Sequence, residues 1–132
     1  MKSFAIVIAA HAAFAVPAAP AADAAVFPPT IVDNVAPYLW SGPAAFDTWI
    51  ADLARAEASE GKADGVVWFG DPVDEAVSGG RTFVVTPCVY TYKQRGRPMR
   101  EEGMTSFTPV KQGGGWKVGS WAWASPAGVA VK

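Results

Sequence analysis

The residue whose type and setting best suit chemistry is Asp33, in the segment Thr30-Ile31-Val32-Asp33-Asn34. Beside apolar Val35 and the rings of Tyr38 and Trp40, a carboxylate there would lose solvation. Lost solvation disfavours the charged form, raises the pKa and makes the group a more useful general base. The plainer reading is that Asp33 caps a turn, because an Asp-Asn pair commonly bonds its own backbone. Nucleophiles and metal ligands are otherwise scarce. Cys88 is the only cysteine and His11 the only histidine, so no intrachain disulfide can form. Cys88 follows Thr86-Pro87, with no basic neighbour or helix N-terminus to favour a thiolate, and reads as a small buried hydrophobe in a strand. No phosphate-binding loop, paired-cysteine metal site or nucleophile elbow occurs in the sequence, so no metal or other cofactor is expected.

Aromatic residues offer the second kind of chemistry. Tyr90 and Tyr92 lie two apart in a strand and so share a face, as do Trp121 and Trp123. Such rings either stack on a planar ligand or fill a core or a dimer interface. Lys93, Arg95, Arg97 and Arg100 cluster around one hairpin, but Glu101 and Glu102 adjoin them, which marks a solvated tip. Adjacent on a strand, Glu101 and Glu102 face opposite ways and cannot act as a catalytic pair.

At 132 residues the chain has room for one core. Hydrophobic residues make up 51% and charged residues 17%, which excludes disorder, and a net charge of -1 gives no basic excess for a nucleic-acid partner. Residues 1–24 have two readings. A basic start at Met1-Lys2-Ser3 and an apolar run from Phe4 to Val16 read as a secretory signal, with Ala22-Asp23-Ala24 as the cleavage pattern. The run is too short for a stable membrane anchor. Alternatively, residues 4–16 are an alanine-rich helix ended by Pro17 that stays with the domain. The first reading makes the protein exported (periplasmic or secreted) and its mature form free of histidine; the second keeps it cytoplasmic.

The elements that must position these residues follow along residues 25–132, read as one domain. Ile31-Val32 reads as a short strand and residues 33–40 as a loop. Gly42-Pro43 then opens a helix carrying Phe46, Trp49, Ile50 and Leu53 on one stripe, to about Glu57. Strands are expected at 66–69, 73–77, 82–93, 99–111 and 116–124, separated by Gly70-Asp71-Pro72, Ser78-Gly79-Gly80, Arg95-Gly96-Arg97-Pro98 and Gln112-Gly113-Gly114-Gly115. Long strands joined by tight turns make an antiparallel meander, and with a helix the class is α+β.

Ile31-Val32-Asp33-Asn34, Pro37-Tyr38-Leu39-Trp40-Ser41-Gly42, Phe46-Asp47-Thr48-Trp49, Thr82 to Pro87, and Gly115-Trp116-Lys117-Val118 with Trp121-Ala122-Trp123 resemble, in order and spacing, the nuclear transport factor 2-like superfamily in its SnoaL-like bacterial branch. The resemblance spans roughly residues 26–124. It implies a cone, in which a strongly curved antiparallel sheet wraps around N-terminal helices and leaves a pocket at its open end. It also implies a homodimer paired through the sheet. Asp33 falls where the isomerases of that superfamily carry their general base. Their oxyanion hole draws an acid from a sheet strand and a tyrosine from the first helix. Here the strand region reads Gly103-Met104-Thr105-Ser106 and residues 4–16 hold no tyrosine, so steroid-type isomerisation is not expected.

Within such a cone the pocket-lining candidates are Tyr38, Trp40, Trp49 and Trp68, together with Tyr90, Tyr92, Trp121 and Trp123. The leading reading is a binding or accessory domain for a small apolar or aromatic molecule. The alternative is an isomerase, dehydratase or cyclase using Asp33 as base, with Tyr38 or Tyr90 as donor. A third is a structural dimer with a filled cone. The first two separate on whether Asp33 points into an enclosed interior.

Overall fold

Phe46, Trp49, Ile50 and Leu53 recur at helical spacing, and they drive the one α-helix among the described residues, α1 (Ala45–Glu60). The computed structural model describes residues 29–132, apart from the Gln112 side chain; residues 1–24, read either as a secretory signal or as a first helix, and His11 among them lie outside the described residues. The helix begins two residues later than the Gly42-Pro43 signal suggests, because Gly42 takes a left-handed conformation (φ 96°) and its carbonyl instead accepts the Ala45 N–H in a turn. It ends at Gly61 (φ 70°), whose N–H caps the last turn, and so runs three residues past Glu57. The apolar stripe packs on a core of Ile31, Trp40, Ala45 and Trp49, with Val35 and Trp121 against it.

The strands are β1 (Thr30–Val32), β2 (Leu39–Ser41), β3 (Lys62–Phe69), β4 (Asp74–Ser78), β5 (Arg81–Gln94), β6 (Arg97–Gln112), β7 (Gly115–Ala124) and β8 (Val129–Ala130). They form one sheet in the order β2-β1-β7-β6-β5-β3, with β4 also on β5 and β8 on β6. The hairpins β5–β6 and β6–β7 are antiparallel, as their short turns require. The sheet as a whole is mixed, not antiparallel, because β1 pairs parallel to β7. No tight turn joins those two strands, so nothing local dictates their direction. Three further boundaries differ from the sequence reading. Trp40 lies in β2 and not in a loop, β3 starts at Lys62 and not Val66, and β8 has no counterpart.

Alternation in β5 and β6 decides which residues face α1. The inward set on β5 is Thr82, Val84, Thr86, Cys88, Tyr90 and Tyr92, and most of it is buried. Register places Glu101 opposite Tyr90, Gly103 opposite Cys88 and Thr105 opposite Thr86. Trp123 then pairs with Thr105 and Trp121 with Phe107. The chain after β7 turns across this inner face: a Cβ on Gly103 would run into Ala124 O and Ser125, and one on Gly128 into the Tyr92 hydroxyl. Gly103 and Gly128 therefore admit the crossing, and β8 ties its far end to Met99 and Arg100.

Candidate functional site

Asp33 follows Ile31 on the inner face of the sheet, just beyond the end of β1, and the fold turns its carboxylate toward α1. Trp49 Nε1 donates to Asp33 Oδ2 at 2.8 Å, and the Asn34 amide donates to Oδ1 at 2.6 Å. The Asp-Asn turn and the interior placement are thus both real, each using one oxygen. Burial pushes the Asp33 carboxyl above its ordinary value of 3.8, and the charge of Glu101 adds to the rise. The two N–H bonds and the Lys62 charge oppose it without cancelling it.

Glu101 is the inward-facing acid that the sequence reading left among solvated charges. It is only 6% exposed. Its Oε1 accepts bonds from Ser125 Oγ, from Trp123 Nε1 at 3.3 Å and from Asn34 Nδ2 at 3.5 Å. Asn34 therefore connects the loop that carries Asp33 to the strand that carries Glu101. The missed signal was the period of two through Met99, Glu101, Gly103, Thr105 and Phe107, which sets Glu101 inward and Glu102 outward. Glu102 faces solvent and pairs with Arg100 at 2.8 Å. The strand that lacks an acid at Gly103 to Ser106 thus offers one two residues before Gly103.

The aromatic candidates divide by place. Trp49 meets Trp121 edge to face at 5.1 Å between ring centroids, and Phe46 packs on both. Trp123 turns its Nε1 to Ser125 (2.8 Å) as well as to Glu101. Tyr90 and Tyr92 stack at 4.7 Å on the same inner face. The Tyr90 hydroxyl donates to Glu57 of α1, and burial followed by that bond pushes its pKa far above the ordinary tyrosine value. Lys62 Nζ sits 5.0 Å from the Tyr92 ring centroid and pairs with Glu60 at 2.7 Å. Burial alone would lower the Lys62 pKa, but the Glu60 bond and charge outweigh it, so Lys62 stays a cation.

Three of the sequence candidates lie apart from this group. Trp40 is a core residue whose Nε1 is taken by Asp52 at 2.8 Å. Trp68 alternates to the outer face beside Val89 and is 64% exposed. Tyr38 is 61% exposed in the β1–β2 loop. The two tyrosines named as donors to a substrate thus start elsewhere, Tyr90 on Glu57 and Tyr38 toward solvent. Cys88 is buried and accepts the Thr105 hydroxyl at 3.2 Å, and burial pushes its thiol pKa up. Among the described residues no group of three or more His, Cys, Asp or Glu side chains could hold a metal ion. No helix among them is long and apolar enough to cross a membrane.

Solved structures match this arrangement of one helix against a curved, open sheet. A nuclear transport factor 2-like superfamily protein from Salmonella enterica serovar Typhimurium LT2 superposes with a TM-score of 0.58 at 14% identity, over 74% of this chain and 68% of that one. The chain has the nuclear transport factor 2-like fold. Two structures of the dehydrochlorinase LinA, one a type 2 hexachlorocyclohexane dehydrochlorinase, share this cone with TM-scores of 0.61 and 0.60 at 10% identity. They cover 79% and 77% of this chain and 68% and 67% of theirs. At such identities the likeness carries the cone and no residue role. No family model and no curated protein matches the sequence. The cone hosts both enzymes and ligand-binding proteins, so its inner face must be argued from its own residues.

Proposed function

We propose that the protein binds a small, largely apolar or aromatic molecule on the inner face of the cone. The observation that supports this most is the convergence of Trp49, Trp121 and Trp123 with the stacked Tyr90 and Tyr92 around two carboxylates. Rings supply contact area at small entropic cost, and a few fixed polar groups set orientation. Trp121, Trp123 and Tyr90 are each only partly buried. Asp33 is the polar anchor, because Trp49 and its own turn hold both of its oxygens in place.

One observation favours a second reading, general-base catalysis. Asp33 is oriented from inside the cone and its carboxyl is raised by burial, which is the setting a base needs. Against turnover, the two tyrosines expected as donors lie elsewhere, Tyr90 bonded to Glu57 and Tyr38 in solvent, so neither is placed to stabilise the charge a substrate would develop. The dehydrochlorinases that share the cone show that it accommodates elimination chemistry in other chains.

One probe tests both readings. 2-Tetralone is neutral and aromatic, and it carries acidic C–H bonds beside its carbonyl. Isothermal titration should show saturable binding, with amide shifts on β1, β6 and β7. In deuterium oxide, the α-proton exchange rate above buffer reports the base, and Asp33→Asn should remove any such excess. Absence of saturable binding, or shifts confined to the outer face around Trp68, would overturn the binding proposal.

A further inference from the structure

We infer that the ligand of this site carries a positive charge, as a protonated or quaternary amine with an apolar body. The inference rests on the binding proposal above and names the class of molecule that binds. Two carboxylates on separate elements, Asp33 after β1 and Glu101 on β6, reach the same inner face, and Asn34 links them. Glu101 is only 6% exposed, yet all three of its bonds from described residues fall on Oε1, and none falls on Oε2. No buried side-chain oxygen among the described residues lacks a partner, so Oε2 is open to solvent and available to a donor or a cation. Neutral apolar ligands leave such an oxygen unmatched, which costs affinity.

The rings around the two acids present the matching surface. An ammonium is attracted to the face of Trp or Tyr because of the ring quadrupole. The protein already makes this contact with its own cation, since Lys62 Nζ lies over the Tyr92 ring at 5.0 Å. Lys62 pairs with Glu60, and its charge also acts on Asp33 and Glu101, so it offsets only part of their field. Glu57 is also spoken for, because it accepts the Tyr90 hydroxyl. The inner face is therefore acidic on balance, because Glu60 already matches Lys62 and Asp33 and Glu101 add two further carboxylates. Protonating Asp33 weakens this field, and its raised pKa means the weakening sets in at higher pH than for an ordinary aspartate.

Choline and 3,3-dimethylbutan-1-ol test the charge alone, because they differ in a quaternary nitrogen against a quaternary carbon. Titrated into the full chain at neutral pH, choline should bind at least tenfold more tightly, about the factor that one cation–π or ionic contact supplies. Asp33→Asn and Glu101→Gln should each cut choline binding by about tenfold and shrink the ratio between choline and dimethylbutanol affinities by a similar factor. Both variants keep the side-chain size, and far-UV circular dichroism together with a cooperative thermal transition confirms that they fold. Equal affinities, or tighter binding of the alcohol, would overturn the inference. So would failure of both to bind while 2-tetralone binds, and that outcome leaves the binding proposal standing. Failure of all three probes removes both.

Discussion

Replacing Trp49 by phenylalanine should destabilise the protein by about 3.5 kcal/mol, and about half of that loss should vanish when Asp33 is also removed. Trp49 is 4% exposed in the core, and its Nε1–H is the donor to Asp33 Oδ2 at 2.8 Å. A hydrogen bond to a charged group contributes about 1.5–3 kcal/mol, so losing this one at a buried carboxylate should cost about 2 kcal/mol. The smaller ring lacks two carbons besides the nitrogen and leaves a void worth about 1.5 kcal/mol, at roughly 0.8 kcal/mol per methylene-sized group. Against a total stability of about 5–15 kcal/mol, the change is large but leaves the chain folded. With a urea slope near 1.5 kcal/mol/M, the denaturation midpoint should fall by about 2 M. A double-mutant cycle with Asp33→Ala isolates the bond, because the void term remains in both backgrounds. The Trp49→Phe loss should shrink by about 1.5–2 kcal/mol once Asp33 is gone. Equal losses in both backgrounds, within about 0.5 kcal/mol, would show that the bond does not hold Asp33 energetically.

Two further outcomes follow from the same geometry. Gly65→Ala places a Cβ 2.5 Å from the Tyr90 hydroxyl and 2.7 Å from its ring, at the register shift between Ala63 and Val66 in β3. Thermal denaturation should report a loss of about 1–3 kcal/mol from overpacking, and a neutral result would mean that Tyr90 is not held where the structure puts it. The Asp33 carboxyl is raised in the folded state, so the folded chain holds that proton more tightly than the unfolded one. The resulting stability is fully present below the unfolded value near 3.8 and is lost as pH rises through the higher folded value. Glu101 and Lys62 face Asp33 and act on this titration in opposite senses. Asp33→Asn, which cannot ionise, should therefore gain on the wild type across that window in urea midpoints taken at successive pH values. A wild type that instead gains on the variant as pH rises would refute the raised carboxyl.

Periodicity alone determined most of the architecture. The stripe from Phe46 to Leu53 specifies α1, and strand-forming runs broken by glycine-bearing turns specify β4 to β7, because those signals are local: a 3.6 or 2.0 repeat and a turn that only certain residues allow. The lost solvation of Asp33 was legible for the same reason, from its apolar and aromatic neighbours in sequence. What lay beyond the sequence depended on register between distant segments. The parallel pairing of β1 with β7 joins residues about ninety positions apart, and no local pattern encodes it. Glu101 looked like part of a solvated charge cluster until pairing with Tyr90 turned it inward and Asn34, Trp123 and Ser125 closed around one of its oxygens. The same alternation sent Trp68 outward and left Tyr90 on Glu57. Residue type said which groups could do chemistry; only the tertiary pairing, by fixing which strand face meets the helix, decided which of them share one space.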